Sequence, residues 1–134
     1  MGSSLHNDNV RRDEEVNWKV LLVDDEPEFL GLMQRLLSKE SRFAVVGRAG
    51  SAEEALELVP SLEPDVVVMD VNMPGMGGLK GASRLRKLLP EIVIVVVSDT
   101  RERQYAASAK SVGATAFIAK KKLSAESLLA AAEA

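Results

Sequence analysis

Leu21-Leu22-Val23 runs straight into Asp24-Asp25, Val66–Met69 into Asp70, Val93–Val97 into Ser98, and Ala116–Ala119 into Lys120. Three carboxylates, one hydroxyl and one ammonium therefore close apolar runs, and they make a coherent chemical set. Carboxylates are hard oxygen donors of the kind that Mg2+ or Mn2+ takes, in preference to a soft metal. A lysine and a hydroxyl can hold the oxygens of a phosphoryl group while a metal neutralises the remaining charge. Taken singly, each residue also has an ordinary reading. Asp24-Asp25 before Glu26-Pro27 suits a helix N-terminus, where acids favour the dipole. An aspartate after a strand is commonly a turn residue. Ser98 could cap a helix, as could Asp99 or Thr100, and Lys120 stands in a run with Lys121 and Lys122 that would suit a solvated loop. Four apolar runs ending in one compatible chemistry argue against accident.

The elements that must position these groups follow from periodicity. Lys19–Val23, Phe43–Val46, Val66–Met69 and Ile92–Val97 are rich in β-branched residues, with Ala116–Ala119 a weaker fifth run. Three are apolar almost without a break, as strands buried on both faces of a parallel sheet must be. Between them lie segments of helical period. Phe29, Leu32, Met33, Leu36 and Leu37 predict a core-facing stripe, with Pro27 at the favoured first position. Ser51 and Glu54 predict a capping box before Ala55, Leu58, Val59 and Leu62. Leu85, Leu88 and Leu89 mark a third helix ended by Pro90. Tyr105, Ala109 and Val112 mark a fourth, with Gly113 as its cap, and Leu128 and Leu129 belong to a fifth. Strict alternation predicts an α/β fold, an open doubly wound five-stranded parallel sheet with right-handed crossovers. Eight βα units cannot fit in this length, which excludes a barrel. Such sheets bind ligands at the carboxyl ends of their strands, where the five polar groups stand.

The bulk properties narrow the function classes. A length of 134 residues fits one domain. The net charge of −3 argues against a nucleic-acid surface. The absence of cysteine excludes disulfides and thiol catalysis. The single histidine, His6, lies in a polar N-terminal stretch and leaves no histidine-built metal site. No apolar run is long enough to span a bilayer. The first residues have no apolar core of a secretory signal and no myristoylation motif. Residues 1–16 read as a disordered leader and 17–134 as the folded domain, with the cytoplasm as the expected location.

From about Trp18 to the last residue the chain resembles the response-regulator receiver domain of two-component signalling. The resemblance rests on Leu21-Leu22-Val23-Asp24-Asp25-Glu26-Pro27 and on Val66–Asp70 followed by Val71-Asn72-Met73-Pro74-Gly75-Met76-Gly77-Gly78. It also rests on the run closing at Ser98 and on Gly113–Lys120. It implies a flavodoxin-like sheet of order 2-1-3-4-5. It further implies that Asp70 is the phospho-acceptor and that Asp24, Asp25, Asp70 and the Asn72 backbone carbonyl hold Mg2+ or Mn2+. Ser98 and Lys120 contact the phosphoryl oxygens, and Phe117 is an aromatic switch or ordinary core. The physics agrees: a carboxylate is already ionised and needs no base, and phosphoryl transfer asks mainly for positioning and charge stabilisation.

The implied partners are a sensor histidine kinase or a phosphotransfer protein. A second copy is a possible partner through the face made by the fourth helix, fifth strand and fifth helix. No nucleic acid and no membrane are expected to bind this domain, and no enzymatic turnover beyond its own phosphorylation and dephosphorylation. Three departures stand out. Lys121 follows Lys120 where many relatives have proline, so no cis peptide is expected there. Asp99 and Thr100 follow Ser98, where small or apolar residues are commoner. The chain also ends near the fifth helix with no DNA-binding segment, although its last strand is most like NarL/LuxR-type regulators, so it is either truncated or stand-alone. The alternatives are a pseudo-receiver that binds proteins without being phosphorylated, and a phosphohydrolase with an aspartyl nucleophile, for which there is little length.

Overall fold

A computed structural model describes residues 17–99 and 103–134. The leader expected over 1–16, His6 within it, and Thr100 lie outside the described residues. The strands are β1 (Trp18–Val23), β2 (Phe43–Ala49), β3 (Val66–Asp70), β4 (Val93–Ser98) and β5 (Ala116–Ala119). The helices are α1 (Pro27–Ser38), α2 (Ala52–Leu62), α3 (Gly78–Leu88), α4 (Arg103–Ser111) and α5 (Ala125–Glu133), and a single 3-10 turn spans Lys120–Lys122. All strand pairs are parallel and the order is β2-β1-β3-β4-β5, as expected.

Alternation along the strands divides the interior into two cores. Leu21, Val23, Val67, Met69, Ile94 and Val96 face the layer of α2, α3 and α4. Val20, Leu22, Val66, Val68, Val95 and Val97 face α1 and α5. This is the period of two of a strand applied to both faces at once, and it explains why β3 is buried at every position. Leu21 and Leu85 are both fully buried, and truncating either to alanine would cost about 2–5 kcal/mol.

The apolar stripe of α1 differs from the expected one. Leu30, Met33 and Leu37 are its buried residues, whereas Leu32 is 46% and Leu36 37% exposed. Successive helical residues turn by about 100°, so Leu32 and Leu36 fall on the flank of a stripe centred on Leu30, Met33 and Leu37. Strand β2 runs three residues past Val46, through Gly47 and Arg48. An irregularity opposite Val20/Leu21 restores its pairing with β1. The polar Arg48 and the glycine hide that extension in the sequence.

The helix ends follow local chemistry. Pro27 stands in the first turn of α1. Ser51 accepts from Glu54 N (3.1 Å), and Glu54 reaches back to Gly50 N (2.8 Å). Gly113, at φ +92°, turns the chain after α4. Arg86, near the end of α3, donates to the carbonyls of Gly113 (2.9 Å), Pro90 (2.9 Å) and Ile92 (2.7 Å) and to Thr115 Oγ1 (3.2 Å). Among the described residues no helix is long and apolar enough to cross a membrane.

Candidate functional site

Register alone brings the polar strand ends together. Val23 pairs with Met69, so Asp24 and Asp70 leave adjacent strands side by side. Asp70 pairs with Val97 and Ser98 with Ala119, which sets Ser98 and Lys120 at the same edge. Asp24, Asp70 and Ser98 are buried, at 1%, 4% and 0% exposure, while Asp25 faces solvent. Asp24 Oδ1 accepts from Glu26 N (2.8 Å) and Asp70 Oδ1 from Asn72 N (3.3 Å), each carboxylate gripping the turn that follows its own strand. The start of α3 is packed on the acceptor strand: a Cβ at Gly78 would overlap the Asp70 carbonyl oxygen, so only glycine fits there.

Lys120 opens the 3-10 turn just past β5 rather than ending the strand. Its side chain is 7% exposed, and Nζ lies 2.7 Å from Asp24 Oδ2, 3.1 Å from Glu26 Oε1, 3.5 Å from Asp70 Oδ2 and 3.8 Å from Asp99 Oδ1. It also sits 4.4 Å from the centre of the Phe29 ring, a cation–π contact. Lys121 and Lys122 are exposed. One ammonium thus answers to four carboxylates. This ion pair is the close contact of Asp24 Oδ2, a buried oxygen for which no further hydrogen-bond partner is found among the described residues.

Burial pushes the Asp70 carboxyl up to about 6, with the charge of Asp24 adding to it and Lys120 opposing. Burial likewise raises Asp24, against the opposing pull of Lys120. Burial alone would lower Lys120, but its contact with Asp24 and the charge of Asp70 win, and it is held above its ordinary value. The site therefore has more negative charge than its lysine neutralises. One oxygen from each of Asp24, Asp25 and Asp70 can lie within 4.8 Å of the others. With the buried Asp24 Oδ2, held by an ion pair to Lys120, among them, this hard and anionic donor set fits a small divalent cation.

Residues 20–133 match the family model of the response regulator receiver domain. The chain belongs to that family. It is 38% identical over 102 residues to the response regulator GacA of Pseudomonas aeruginosa, covering 76% of this chain and 48% of GacA. It is 36% identical over 101 residues to the nitrate/nitrite response regulator protein NarL of Escherichia coli, covering 75% and 47%. The chain thus spans about half the length of these curated relatives. The signal receiver domain of a NarL response regulator from Mycobacterium tuberculosis superposes with a TM-score of 0.81 at 30% identity, covering 87% of this chain and 97% of that one.

In this receiver, Phe117 is half-buried on β5, paired with Val96 and packed against the core on the α4 side. With Ala106, Ala109, Lys110 and Thr115 it lines a groove of about 350 Å3. Asn72 is exposed and tied to Asp70 through its N–H. Three residues of the receiver's edge escaped the sequence reading. Glu26 and Phe29 both hold Lys120, and the acid directly after Asp25 was the available signal for the first. Glu53, in the first turn of α2, accepts from Met76 N (3.0 Å) and fills the space beside Gly75, whose φ is +80°. It thereby fastens the loop that follows Asp70 to a different helix.

Proposed function

We propose that this receiver is a phosphorylation switch in which Asp70 takes a phosphoryl group from a sensor histidine kinase or a phosphotransfer protein. The observation that supports this most is the buried Asp70 carboxylate, clustered with the hard oxygen donors of Asp24 and Asp25 and 3.5 Å from the Lys120 ammonium. The Asp70 oxygen attacks phosphorus as the donor's P–N bond breaks, and the electron pair leaves with the imidazole nitrogen. Asp24, Asp25, Asp70 and the Asn72 carbonyl would hold Mg2+ or Mn2+. Such an ion neutralises phosphoryl charge when bound.

Lys120 would exchange Asp24 and Glu26 for a phosphoryl oxygen, and Ser98 would donate to another. Ser98 moving toward Asp70 would free room for Phe117 to turn inward and would alter the face made by α4, β5 and α5. A second copy or another partner would read that face. The bias is a population shift between two states. The exposed Leu32 and Leu36 on α1 suit docking of the phosphodonor. Output such as transcription would run through a domain outside this chain, with no nucleic-acid contact here, and phosphotransfer would take place in the cytoplasm. The second reading, a pseudo-receiver that is never phosphorylated, draws on Asp99, an acid 3.8 Å from Lys120 at the mouth of the site.

Incubation with acetyl phosphate and Mg2+ followed by intact mass measurement separates the two. One added phosphoryl group on the natural chain, absent from Asp70→Asn, supports the switch. An unchanged mass in both supports the pseudo-receiver, and labelling of Asp70→Asn at normal stoichiometry places the acceptor elsewhere.

A further inference from the structure

The outer face of α2 and α3 lies away from Asp70, and its one tie to the site among the described residues is Glu53, which fastens the loop after β3. Lys80, Arg84 and Lys87 are exposed on α3 at i, i+4 and i+7, a basic row along one side of the helix. Glu53 and Glu57 are exposed on α2 at i and i+4, an acidic row. Both helices pack on the same side of the sheet, through Ala52 and Ala55 and through Ala82 and Leu85. Leu56, Arg84, Lys87 and Leu88 line a groove of about 340 Å3 there. Leu88 is 63% exposed, the most of any large apolar residue among the described residues. Glu57, Lys80, Arg84 and Lys87 have no ion-pair partner among the described residues.

This arrangement is complementary to itself. Both helices return antiparallel to a parallel sheet, so they run in the same direction. Ala52 packs directly against Gly81, which sets Glu57 about level with the turn of α3 between Arg84 and Lys87, and the neighbouring Leu56 shares a groove with both. A two-fold axis parallel to the helices and between them sets the acidic row of one copy against the basic row of the other, twice, and brings the two Leu88 side chains together. An axis across the helices would set acid against acid, an arrangement that is repelled. We propose that the α2–α3 face is a homodimer contact, covered by a second copy of this chain. Each helix is about 16 Å long, and a two-helix face of that length falls short of the ~800 Å2 per partner of a standard interface. The dimer is therefore weak, concentration-dependent and salt-sensitive.

Sedimentation equilibrium of the full chain at low salt, from about 10 µM to about 1 mM, where weak interfaces are read, tests this. The weight-average mass should rise from 14.5 kDa toward twice that value. Arg84→Glu or Glu57→Arg alone should weaken association by about tenfold or more. The double variant Glu57→Arg/Arg84→Glu should recover most of it, which a merely unfolded variant could not do. The chain has no cysteine, so Leu88→Cys is an unambiguous reporter. It should cross-link rapidly under mild oxidation, and Leu36→Cys on α1 should not. A monomer throughout the range, association unchanged by either charge reversal, or cross-linking through Leu36→Cys alone would overturn the proposal.

Discussion

Asp70→Asn should make the metal-free protein more stable at neutral pH, although it removes the proposed acceptor. Burial and the neighbouring Asp24 raise the Asp70 carboxyl from 3.8 to about 6. Each pH unit of displacement corresponds to about 1.4 kcal/mol, so holding Asp70 ionised in the fold costs roughly 3 kcal/mol once the pH is above both values. Between about pH 4 and 6 the folded protein keeps a proton that the unfolded chain has released. Stability contributed by this group therefore falls as the pH rises through that window. Asparagine is neutral throughout and escapes the loss. For a chain of this size the gain corresponds to a rise in Tm on the order of 10 °C at pH 7.5, shrinking to little near pH 4. Thermal unfolding by circular dichroism, with chelator present, reads both values directly. If Asp70→Asn melts at or below the natural chain at pH 7.5, or if its advantage does not shrink on acidification, the charge argument for this site is refuted.

Adding Mg2+ should raise the Tm of the natural chain, by about 2.7 kcal/mol of stability at a hundredfold excess over Kd, and should do so far less in Asp25→Ala; calorimetry with and without chelator checks this. Lys120→Ala should cut acetyl-phosphate labelling by at least about tenfold, because its Nζ lies 3.5 Å from Asp70, while exposed Lys121→Ala should label normally; equal effects would place the wrong lysine at the site. Asp99→Asn should label several times faster with acetyl phosphate at low salt, the difference fading in 0.5 M NaCl as screening removes the acid's repulsion; a salt-independent effect would point to shape rather than charge. Binding of beryllofluoride with Mg2+ should shift backbone NMR signals around Phe117 as well as around Asp70; shifts confined to Asp70 would remove Phe117 from the switch.

The strand-end chemistry was legible because a strand's direction and register are fixed by its apolar residues. Once β1, β3, β4 and β5 are parallel neighbours, Asp24, Asp70, Ser98 and Lys120 must meet at one edge. The α1 stripe was misjudged at Leu32 and Leu36 because six apolar residues in the nine from Phe29 to Leu37 allow two overlapping stripes, and only packing against β1 and β2 chooses between them. The roles of Glu26 and Phe29 were harder to read for a different reason. Their link to Lys120 spans more than 90 residues, and apart from the acid that follows Asp25 nothing local in the helix start encodes it. The same holds for Glu53 and Met76, whose 23-residue separation hides a contact visible only when α2 and the loop after β3 are side by side.

Arg86 gives the two edges of the sheet different mechanical characters. At the amino edge of β4 and β5 a single planar cation stitches three segments together through neutral acceptors, and Thr115 adds a second stitch by accepting from Ile94 N at 3.0 Å. A guanidinium stays charged at every relevant pH, so that seam is indifferent to acid, metal and phosphate alike. At the opposite edge the tie is Lys120 among carboxylates, and every one of those charged partners can be neutralised or taken away. The domain thus resembles a tuning fork clamped at one end: Gly113, Thr115 and Ile92 form the clamp, and the tines carrying Ser98 and Lys120 are left to answer to chemistry.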